Sequence, residues 1–309
     1  MEVSIDWVKT LRDLLTSSLR DNMLPLPVDE KICTKWQRGL QSEKSHRVLY
    51  TSCMYQIAPV IQKAVENLEK FGVTRGGLLS KAASVGARLA GGLVLRPSRE
   101  ELERSNAILR SIYRLLKASG VEFGLLDKEP YSGALLYELG FVDEFAEYAK
   151  RVYQFFKERG VREVVTVDPH THNVLEKVYP QYVPGFDIRV VSYLDLVDAG
   201  RVKVKARGFA IHDSCLYARH LGKYDRVREL LKAGSPVEDF YITGRETSGC
   251  CGGPAESIAP KLATRIAMDR ASKLSKLSKT VVVACPICMV NLSRTGLVEV
   301  KDISEVLEA

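Results

Sequence analysis

The sequence predicts an α/β fold with mainly parallel sheets, arranged as two similar halves. Short apolar runs rich in β-branched residues recur along the chain, and a turn and a helical pattern follow each run. Such runs suit strands buried on both faces, and the intervening helices suit the right-handed crossovers that join parallel strands. Four predicted strands fall in each half, with a junction near 186–207. They are residues 47–52, 121–126, 162–167, 188–193, 208–213, 237–242, 280–285 and 297–302.

An N-terminal extension precedes the first predicted strand. It opens with an amphipathic helical pattern, and the proline-rich stretch "LPLPVDE" at 24–30 interrupts that pattern. We therefore expect three regions, which are a helical extension at 1–45, a first half at 46–186 and a second half at 187–309.

Composition and charge narrow the classes of function. The chain has 309 residues, of which 46% are hydrophobic and 27% charged, as in ordinary globular proteins. Its net charge of +7 is spread along the sequence, so we do not expect it to bind nucleic acid. The sequence has no apolar run of 18 residues, no signal peptide, and neither a G-x-G-x-x-G nor a P-loop motif. We expect a cytoplasmic protein that binds no nucleotide or flavin itself. Peripheral association with a membrane through partners is an open alternative.

Two of the seven cysteines, Cys250 and Cys251, are adjacent in "ETSGCCGGP". Adjacent Cα atoms lie about 3.8 Å apart, whereas disulfides usually join Cα atoms about 4.4–6.8 Å apart. In a reducing compartment, clustered cysteines hold metal or perform redox chemistry more often than they form disulfides. The pair therefore indicates a metal or redox site, and the simpler alternative is two small buried residues.

The spacing of the other cysteines extends this site. The pattern is C-x34-CC-x33-C-x2-C, formed by Cys215, Cys250, Cys251, Cys285 and Cys288. Cys215 and Cys285 follow predicted strands, and ligands of parallel sheets collect beyond the carboxyl ends of strands. We therefore expect the five thiols to converge at one edge of a sheet.

This pattern resembles the CCG domain, the cysteine-rich domain of heterodisulfide reductase subunits B and D and of the iron-sulfur subunits of lactate, glycolate and glycerol-3-phosphate oxidation. The flanking residues agree, namely "HDSCLYARHLGKYDRVRELL", "CCGGPAESIAPKLATRIAMDRA" and "VVVACPICMVNL", and together cover most of 208–292. The resemblance implies two pseudo-symmetric Rossmann-like halves. It also implies that the five cysteines bind one [4Fe-4S] cluster of the non-cubane type.

The first half shows the same frame with most of the ligands replaced. "VLYTSCMYQIAP" keeps Cys53, but Tyr131 and Ser132 stand where the cysteine pair is expected. Asp168 and Thr171 stand where the two cysteines of the C-x-x-C motif are expected. We therefore expect a degenerate CCG-like domain at 46–186 and an intact one at 187–309.

The first half also contains an insertion near residues 64–100. Cys53 and Tyr131 are separated by 77 residues, against 34 between Cys215 and Cys250. The insertion contains an amphipathic helical pattern with Lys81, Ser84 and Arg88 on its polar face. Such a helix either packs on the core of this chain or docks a partner or a membrane surface.

Several residues outside the five-cysteine pattern have alternative interpretations. Asp168, His170 and His172 with Cys53 offer donors for a replacement metal site. We prefer a metal-free first half whose cleft lines a substrate or partner site.

The candidates for catalysis are His212, His220 and Cys53. His212 and His220 flank Cys215 and suit hydrogen bonding to the cluster or proton supply, although His212 could simply end a strand. Cys33, in the extension, is expected to be an ordinary free cysteine.

Two functions follow. The resemblance implies a redox subunit that transfers electrons to or from a disulfide or thiol substrate, or onward from a flavin dehydrogenase. Because the chain has no C-x2-C-x2-C-x3-C-P motif, we expect its electrons to come from a ferredoxin-like iron-sulfur subunit, with a flavoprotein beyond it. The alternative is a zinc-binding structural subunit, for which five thiolates are one more than a tetrahedral site takes.

Overall fold

Short parallel strands at the centre of the molecule form its framework. The computed structural model describes residues 5–70 and 98–309. Its strands are β1 (Arg47–Tyr50), β2 (Gly124–Leu125), β3 (Glu163–Thr166), β4 (Arg189–Ser192), β5 (Lys203–Val204), β6 (Ala210–His212), β7 (Thr280–Val283), β8 (Glu299–Asp302) and β9 (Leu307–Glu308). The first sheet has the order β2-β1-β3-β4 and the second β6-β7-β8, and both are parallel throughout. The predicted α/β class with parallel sheets is confirmed.

Helices connect the strands and cover both sheets. They are α1 (Ile5–Asn22), α2 (Met54–Lys70), α3 (Arg99–Ala118), α4 (Ala134–Glu138), α5 (Val142–Glu158), α6 (Pro169–Asn173), α7 (Tyr179–Tyr182), α8 (Tyr193–Leu196), α9 (Tyr224–Leu231), α10 (Pro260–Ser275), α11 (Pro286–Ser293) and α12 (Ile303–Val306). Two π-helical turns are also present: Val174–Val178 follows α6, and Leu216–His220 follows Cys215. The predicted N-terminal helix is confirmed as α1.

The central strands form because their residues are apolar on both faces. In β3, Val164 and Val165 are fully buried although they point to opposite sides of the sheet. Their partners Val48 and Leu49 in β1 are equally buried. This is the pattern expected of parallel strands with helices on both faces.

The second sheet repeats the strand order of the first. A parallel bridge between Ala210 and Val237 places Val237 beside β6, as β2 lies beside β1. The predicted strand at 237–242 is nevertheless wrong beyond that bridge. The side chain of Asp239 accepts a hydrogen bond from the backbone N–H of Tyr241, and the turn exposes Phe240.

A small antiparallel sheet of β5 and β9 was not predicted, because two residues per strand are too few to show a period.

No helix in the described ranges combines the length and apolarity needed to cross a membrane. The predicted amphipathic helix with Lys81, Ser84 and Arg88 lies outside those ranges.

Contacts between distant parts of the chain hold the two sheets together. The hydroxyl of Tyr55 in α2 donates to Asp302 Oδ2 at 2.7 Å, and both side chains are buried. Arg104 in α3 forms an ion pair with Glu305 at 2.7 Å. The indole of Trp7 in α1 donates to the carbonyl of Ser257. The extension and both sheets therefore share one packed structure.

The prediction that Cys33 is a free cysteine is wrong. Cys33 and Cys53 form a disulfide with Cα atoms 4.7 Å apart, and both are buried. The 3₁₀ turn Glu30–Cys33 of the extension packs on the carboxyl end of β1, where Cys53 follows the strand. The pairing arises from this long-range contact, which local sequence patterns do not reveal.

Candidate functional site

The five predicted cysteines lie together at the carboxyl edge of the second sheet. Cys215 follows β6, Cys250 and Cys251 lie in the loop before α10, and Cys285 and Cys288 begin α11. Each thiol is hydrogen-bonded to the next in the order Cys215, Cys250, Cys251, Cys288, Cys285. All five are free thiols; the last three in this row are buried, and the first two are partly exposed. We call them the thiol row.

Local backbone structure fixes the ends of the row. Cys285 is the N-cap of α11, with extended backbone angles, and its Sγ accepts from the N–H of Cys288 at 3.4 Å. Pro286 occupies the first helical position, where its missing N–H costs nothing. The sequence C-P-x-C after a buried strand thus places both sulfurs at the start of one helix.

A glycine makes room beside the cysteine pair. Gly252 has φ +98°, and a Cβ at this position would lie 2.5 Å from the carbonyl oxygen of Ala263 in α10. Its N–H donates to Sγ of Cys250 at 3.3 Å. A side chain here would push α10 away from the pair, so the glycine is required by both conformation and space.

The thiols share their protons unequally. Hydrogen bonds from Cys215 and Cys251 lower the pKa of the Cys250 thiol to about 2. Burial raises the pKa of Cys285, but the hydrogen bond with Cys288 and the charge of His170 outweigh burial and hold it well below its ordinary value. Thiolates are therefore favoured at two positions of the row, and thiolates are the form that binds soft metals.

His212 lies beside the row and is oriented by Arg270. A ring nitrogen of His212 and the sulfurs of Cys251 and Cys288 lie within 4.8 Å of one another. The guanidinium Nε of Arg270 donates to Nδ1 of His212 at 3.1 Å, and a guanidinium can only donate. Burial, with Arg270 adding to it, lowers the pKa of His212 to about 3, so the neutral ring carries its proton on Nε2. That atom has no hydrogen-bond partner in the described ranges, and it suits a donor to sulfur.

Arg270 was missed by the sequence analysis, although a signal existed. It lies on the buried stripe of α10 together with Ala263, Ala267, Ala271 and Leu274, and it is itself only 3% exposed. A charged residue at an apolar position of an amphipathic helix indicates a buried partner. That partner is His212, with Thr243 Oγ1 as a second acceptor at 3.1 Å.

His170 of the first half also contacts the row. Its Nε2 lies 3.5 Å from Sγ of Cys285, and its Nδ1 lies 2.7 Å from a carboxylate oxygen of Glu138. Burial lowers the pKa of His170, but the charges of Glu138 and Cys285 outweigh burial and raise it well above its usual value. Glu138 was not singled out from the sequence, because nothing local marks a residue whose partner lies 32 positions away.

The first half does not assemble a replacement metal site from the four predicted donors. Cys53 is bonded to Cys33, and Nδ1 of His172 lies 2.8 Å from Thr166 Oγ1. His170 faces the second half, and Oδ1 of Asp168 accepts backbone N–H groups of α6. In the part of the chain that the structure describes, the metal-capable group is the one that contains His212, Cys251 and Cys288.

The other catalytic candidates lie outside the thiol row. His220 is exposed at the end of the π turn Leu216–His220, and the thiol contacts given above do not involve it. Cys53 has no free thiol in this structure. Of the three candidates, the structure brings only His212 into the cluster of sulfurs.

A surface cavity of about 280 Å³ opens onto Cys250. Its basic side chains outnumber its one carboxylate, so the opening favours anions. The lining residues are Thr243, Gly249, Cys250, Arg265, Ile266, Asp269, Arg270 and Lys273.

The sequence of this region matches a known domain family. Residues 209–293 match the cysteine-rich domain, CCG. The resemblance seen in the sequence is confirmed, and the matched segment contains the whole thiol row. The CCG domain thus accounts for the second sheet, apart from its last strand, and for the site at its edge.

Three curated relatives are similar over parts of the chain. A probable iron-sulfur-binding oxidoreductase FadF from Bacillus subtilis is 31% identical over 61% of this chain and 28% of the relative. An EtfAB:quinone oxidoreductase from Syntrophomonas wolfei is 32% identical over 48% of this chain and 22% of the relative. A probable membrane-anchored ferredoxin from Chromohalobacter salexigens is 29% identical over 67% of this chain and 34% of the relative. This chain therefore spans about a third or less of the relatives it matches.

Proposed function

We propose that the chain is an iron-sulfur oxidoreductase subunit whose second half holds one [4Fe-4S] cluster, of the non-cubane type, on Cys215, Cys250, Cys251, Cys285 and Cys288. The observation that carries this proposal is the thiol row. Five thiols in continuous hydrogen-bond contact outnumber the ligands of one tetrahedral zinc ion. Two adjacent cysteines suit a cluster, in which neighbouring irons take neighbouring ligands.

The surroundings of the row fit such a group. Backbone N–H groups of Gly252 and Cys288 donate to sulfurs, and the buried Nε2–H of His212 lacks another partner. Hydrogen bonds to cluster sulfurs and burial are the means by which proteins adjust the potential of iron-sulfur centres. Arg270 is buried without a hydrogen-bonded carboxylate in the described ranges, and the nearby charges of Asp213, Cys288, Asp269 and Cys251 favour its charged form.

The cluster, when bound, supplies one-electron transfer, and the protein controls what reaches it. The buried sulfurs of Cys251, Cys285 and Cys288 are shielded from water, whereas Cys250 faces the cavity. We place the approach of a disulfide or thiol substrate, or of a partner's redox centre, at that opening. Basic residues Arg265 and Lys273 would attract an anionic substrate or an acidic partner surface there.

The likeness to three electron-transfer proteins supports a role within a larger assembly. We propose a ferredoxin-like iron-sulfur subunit as electron partner and a flavoprotein dehydrogenase beyond it. One relative is called an EtfAB:quinone oxidoreductase and another a membrane-anchored ferredoxin. We therefore also propose that the assembly works in the cytoplasm, at the inner face of a membrane.

A zinc-binding structural subunit is the second candidate. It is favoured by the close approach of His212, Cys251 and Cys288, which could provide three ligands. The hydrogen bond from Arg270 opposes it, because it occupies Nδ1 and leaves the proton of the neutral ring on Nε2. A metal ligand at Nε2 would require the opposite tautomer.

Single substitutions of the adjacent cysteines test the proposal. Cys250→Ser and Cys251→Ser are purified anaerobically beside the unchanged chain, and iron, acid-labile sulfide and zinc are measured per polypeptide. A five-ligand cluster predicts that iron and sulfide are lost in both variants. If the unchanged chain contained no iron or sulfide and Cys250→Ser still bound zinc, the redox function would be wrong and the structural function would be favoured.

A further inference from the structure

We infer that the first half supplies a hydrogen-bond donor, His170 positioned by Glu138, to Cys285 of the second half, and that this contact raises the reduction potential of the cluster. The inference rests on the proposed function. It assigns a chemical role to a half that has lost four of the five cysteine positions of the CCG pattern.

The backbone around His170 fixes the direction of its ring. Asp168 is the N-cap of α6, and its Oδ1 accepts the N–H groups of His170 and Thr171 at 2.9 Å each. Pro169 at the first helical position stiffens this turn. The His170 side chain is only 6% exposed and reaches across to the second half. Its position therefore follows from the first helical turn of α6.

The ring lies between Glu138 and Cys285. A carboxylate oxygen of Glu138 is 2.7 Å from Nδ1, and this contact holds the ring in its orientation. Sγ of Cys285 is 3.5 Å from Nε2, and a cysteine that ligates metal is a thiolate without a proton to give. Nε2 is therefore placed to donate its N–H to this sulfur, across the contact between the two halves.

This arrangement has a defined effect on the cluster. A reduced cluster carries more negative charge on its sulfurs than an oxidised one, so an N–H donor to a sulfur stabilises the reduced state more. The buried position strengthens the effect, because hydrogen bonds are stronger where the local dielectric constant is low. Glu138 acts through His170, so it is a positioning residue.

The test uses the anaerobically purified full chain with His170→Gln, Glu138→Gln and the double variant, and His220→Gln as the control at an exposed histidine. We expect the iron and sulfide contents of His170→Gln to be unchanged. Its one-electron reduction equilibrium constant should be tenfold smaller, which corresponds to a reduction potential 59 mV more negative. Glu138→Gln shifts the potential in the same direction by less, and the double variant matches His170→Gln. His220→Gln leaves the potential unchanged.

Pulsed EPR on chain labelled with ¹⁵N-histidine provides a second readout. We expect a weak nitrogen coupling that is lost in His170→Gln and kept in His220→Gln. A strong coupling lost in His170→Gln would show direct ligation of iron and overturn the donor assignment. A cluster with unchanged potential in all variants would overturn the inference alone, whereas a chain without iron would overturn the proposed function as well.

Discussion

The two halves build the same local structure at corresponding strand ends and fill it with different side chains. In the second half, Cys285 caps α11 and is followed by a proline; in the first, Asp168 caps α6 and is followed by a proline. Thr171 takes the place of Cys288, and its N–H is bonded to the cap in the same manner. The comparison shows that an aspartate side chain satisfies the helix start as well as a cysteine side chain does, so the two residue types are compatible with the same local fold.

The remaining ligand positions differ in the same way. In the first half, the N–H of Ser132 is bonded to Ser52 Oγ, and Ser132 Oγ lies 3.4 Å from Thr171 Oγ1. Cys53 is closed into a disulfide, whereas the five cysteines of the second half are free. Hydroxyl groups and a disulfide thus lie at the carboxyl edge of the first sheet, whereas free thiols lie at the carboxyl edge of the second.

The largest effect expected is on iron content. Cys285→Ala should reduce bound iron and sulfide to background, because it removes a proposed, buried ligand at the end of the thiol row. The Cys33→Ala/Cys53→Ala double variant should keep both at the level of the unchanged chain. Measurement of iron and sulfide per polypeptide checks this. Loss of iron in the double variant would place a ligand in the first half and break the comparison.

The disulfide is expected to stabilise the first half. It closes a loop of 20 residues, so its removal should lower the free energy of unfolding by about 3 kcal/mol. Urea unfolding of the Cys33→Ala/Cys53→Ala variant against the unchanged chain measures the difference. A thiol titration of the denatured, metal-free chain without reductant should find the five free cysteines. Reaction of Cys33 and Cys53 with the thiol reagent as well would contradict the disulfide.

One glycine follows the cysteine pair of the second half, and another follows the corresponding residues Tyr131 and Ser132 of the first half. Substitution of these two glycines should have different effects on stability. Gly133 and Gly252 both have positive φ, so alanine strains either backbone. A Cβ at Gly252 would meet a backbone oxygen at 2.5 Å, whereas one at Gly133 would meet a side-chain ring atom of Tyr148 at 3.0 Å. We expect Gly252→Ala to cost about 2–3 kcal/mol and to lower iron content, and Gly133→Ala to cost about 1 kcal/mol with iron retained. Equal losses in chemical unfolding would show that space at the cysteine pair is not limiting.

The last prediction concerns the hydrogen bond between Tyr55 and Asp302, which joins the two halves, and its effect on stability at different pH values. Burial raises the pKa of Asp302 to about 6, although hydrogen bonds from Tyr55 and Ser304 lower it. The folded chain therefore binds this proton at a higher pH than the unfolded chain, and the group favours folding more as pH falls from 7 towards 4. Tyr55→Phe removes a donor to the charged form, so it should cost about 2 kcal/mol at pH 8 and about 1 kcal/mol at pH 5. Equal costs at both pH values would contradict a charged Asp302 at neutral pH.

Much of the fold could be predicted because its signals are local. The apolar runs marked β1, β2, β3, β4, β6, β7 and β8. The cysteine spacing marked the residues of the thiol row. The exposed turn at 237–242 was misread because "VEDFYI" has the composition of a strand, and only its missing partners show otherwise.

The contacts that complete the site could not be predicted in this way. The Cys33–Cys53 disulfide and the approach of His170 to Cys285 join residues that no local pattern connects. Arg270 could have been found from its place on the buried stripe of α10. Long-range packing therefore decides which polar groups surround the sulfurs, and the sequence pattern decides where the sulfurs are.

The most direct test is the metal content of the anaerobically purified chain, with EPR spectra of its oxidised and reduced forms. A single cluster in the second half predicts about four irons and about four sulfides per polypeptide, with a paramagnetic state on oxidation or reduction. About eight irons would show that the first half also holds a cluster. One zinc ion without sulfide would contradict the redox function and leave a zinc-stabilised subunit.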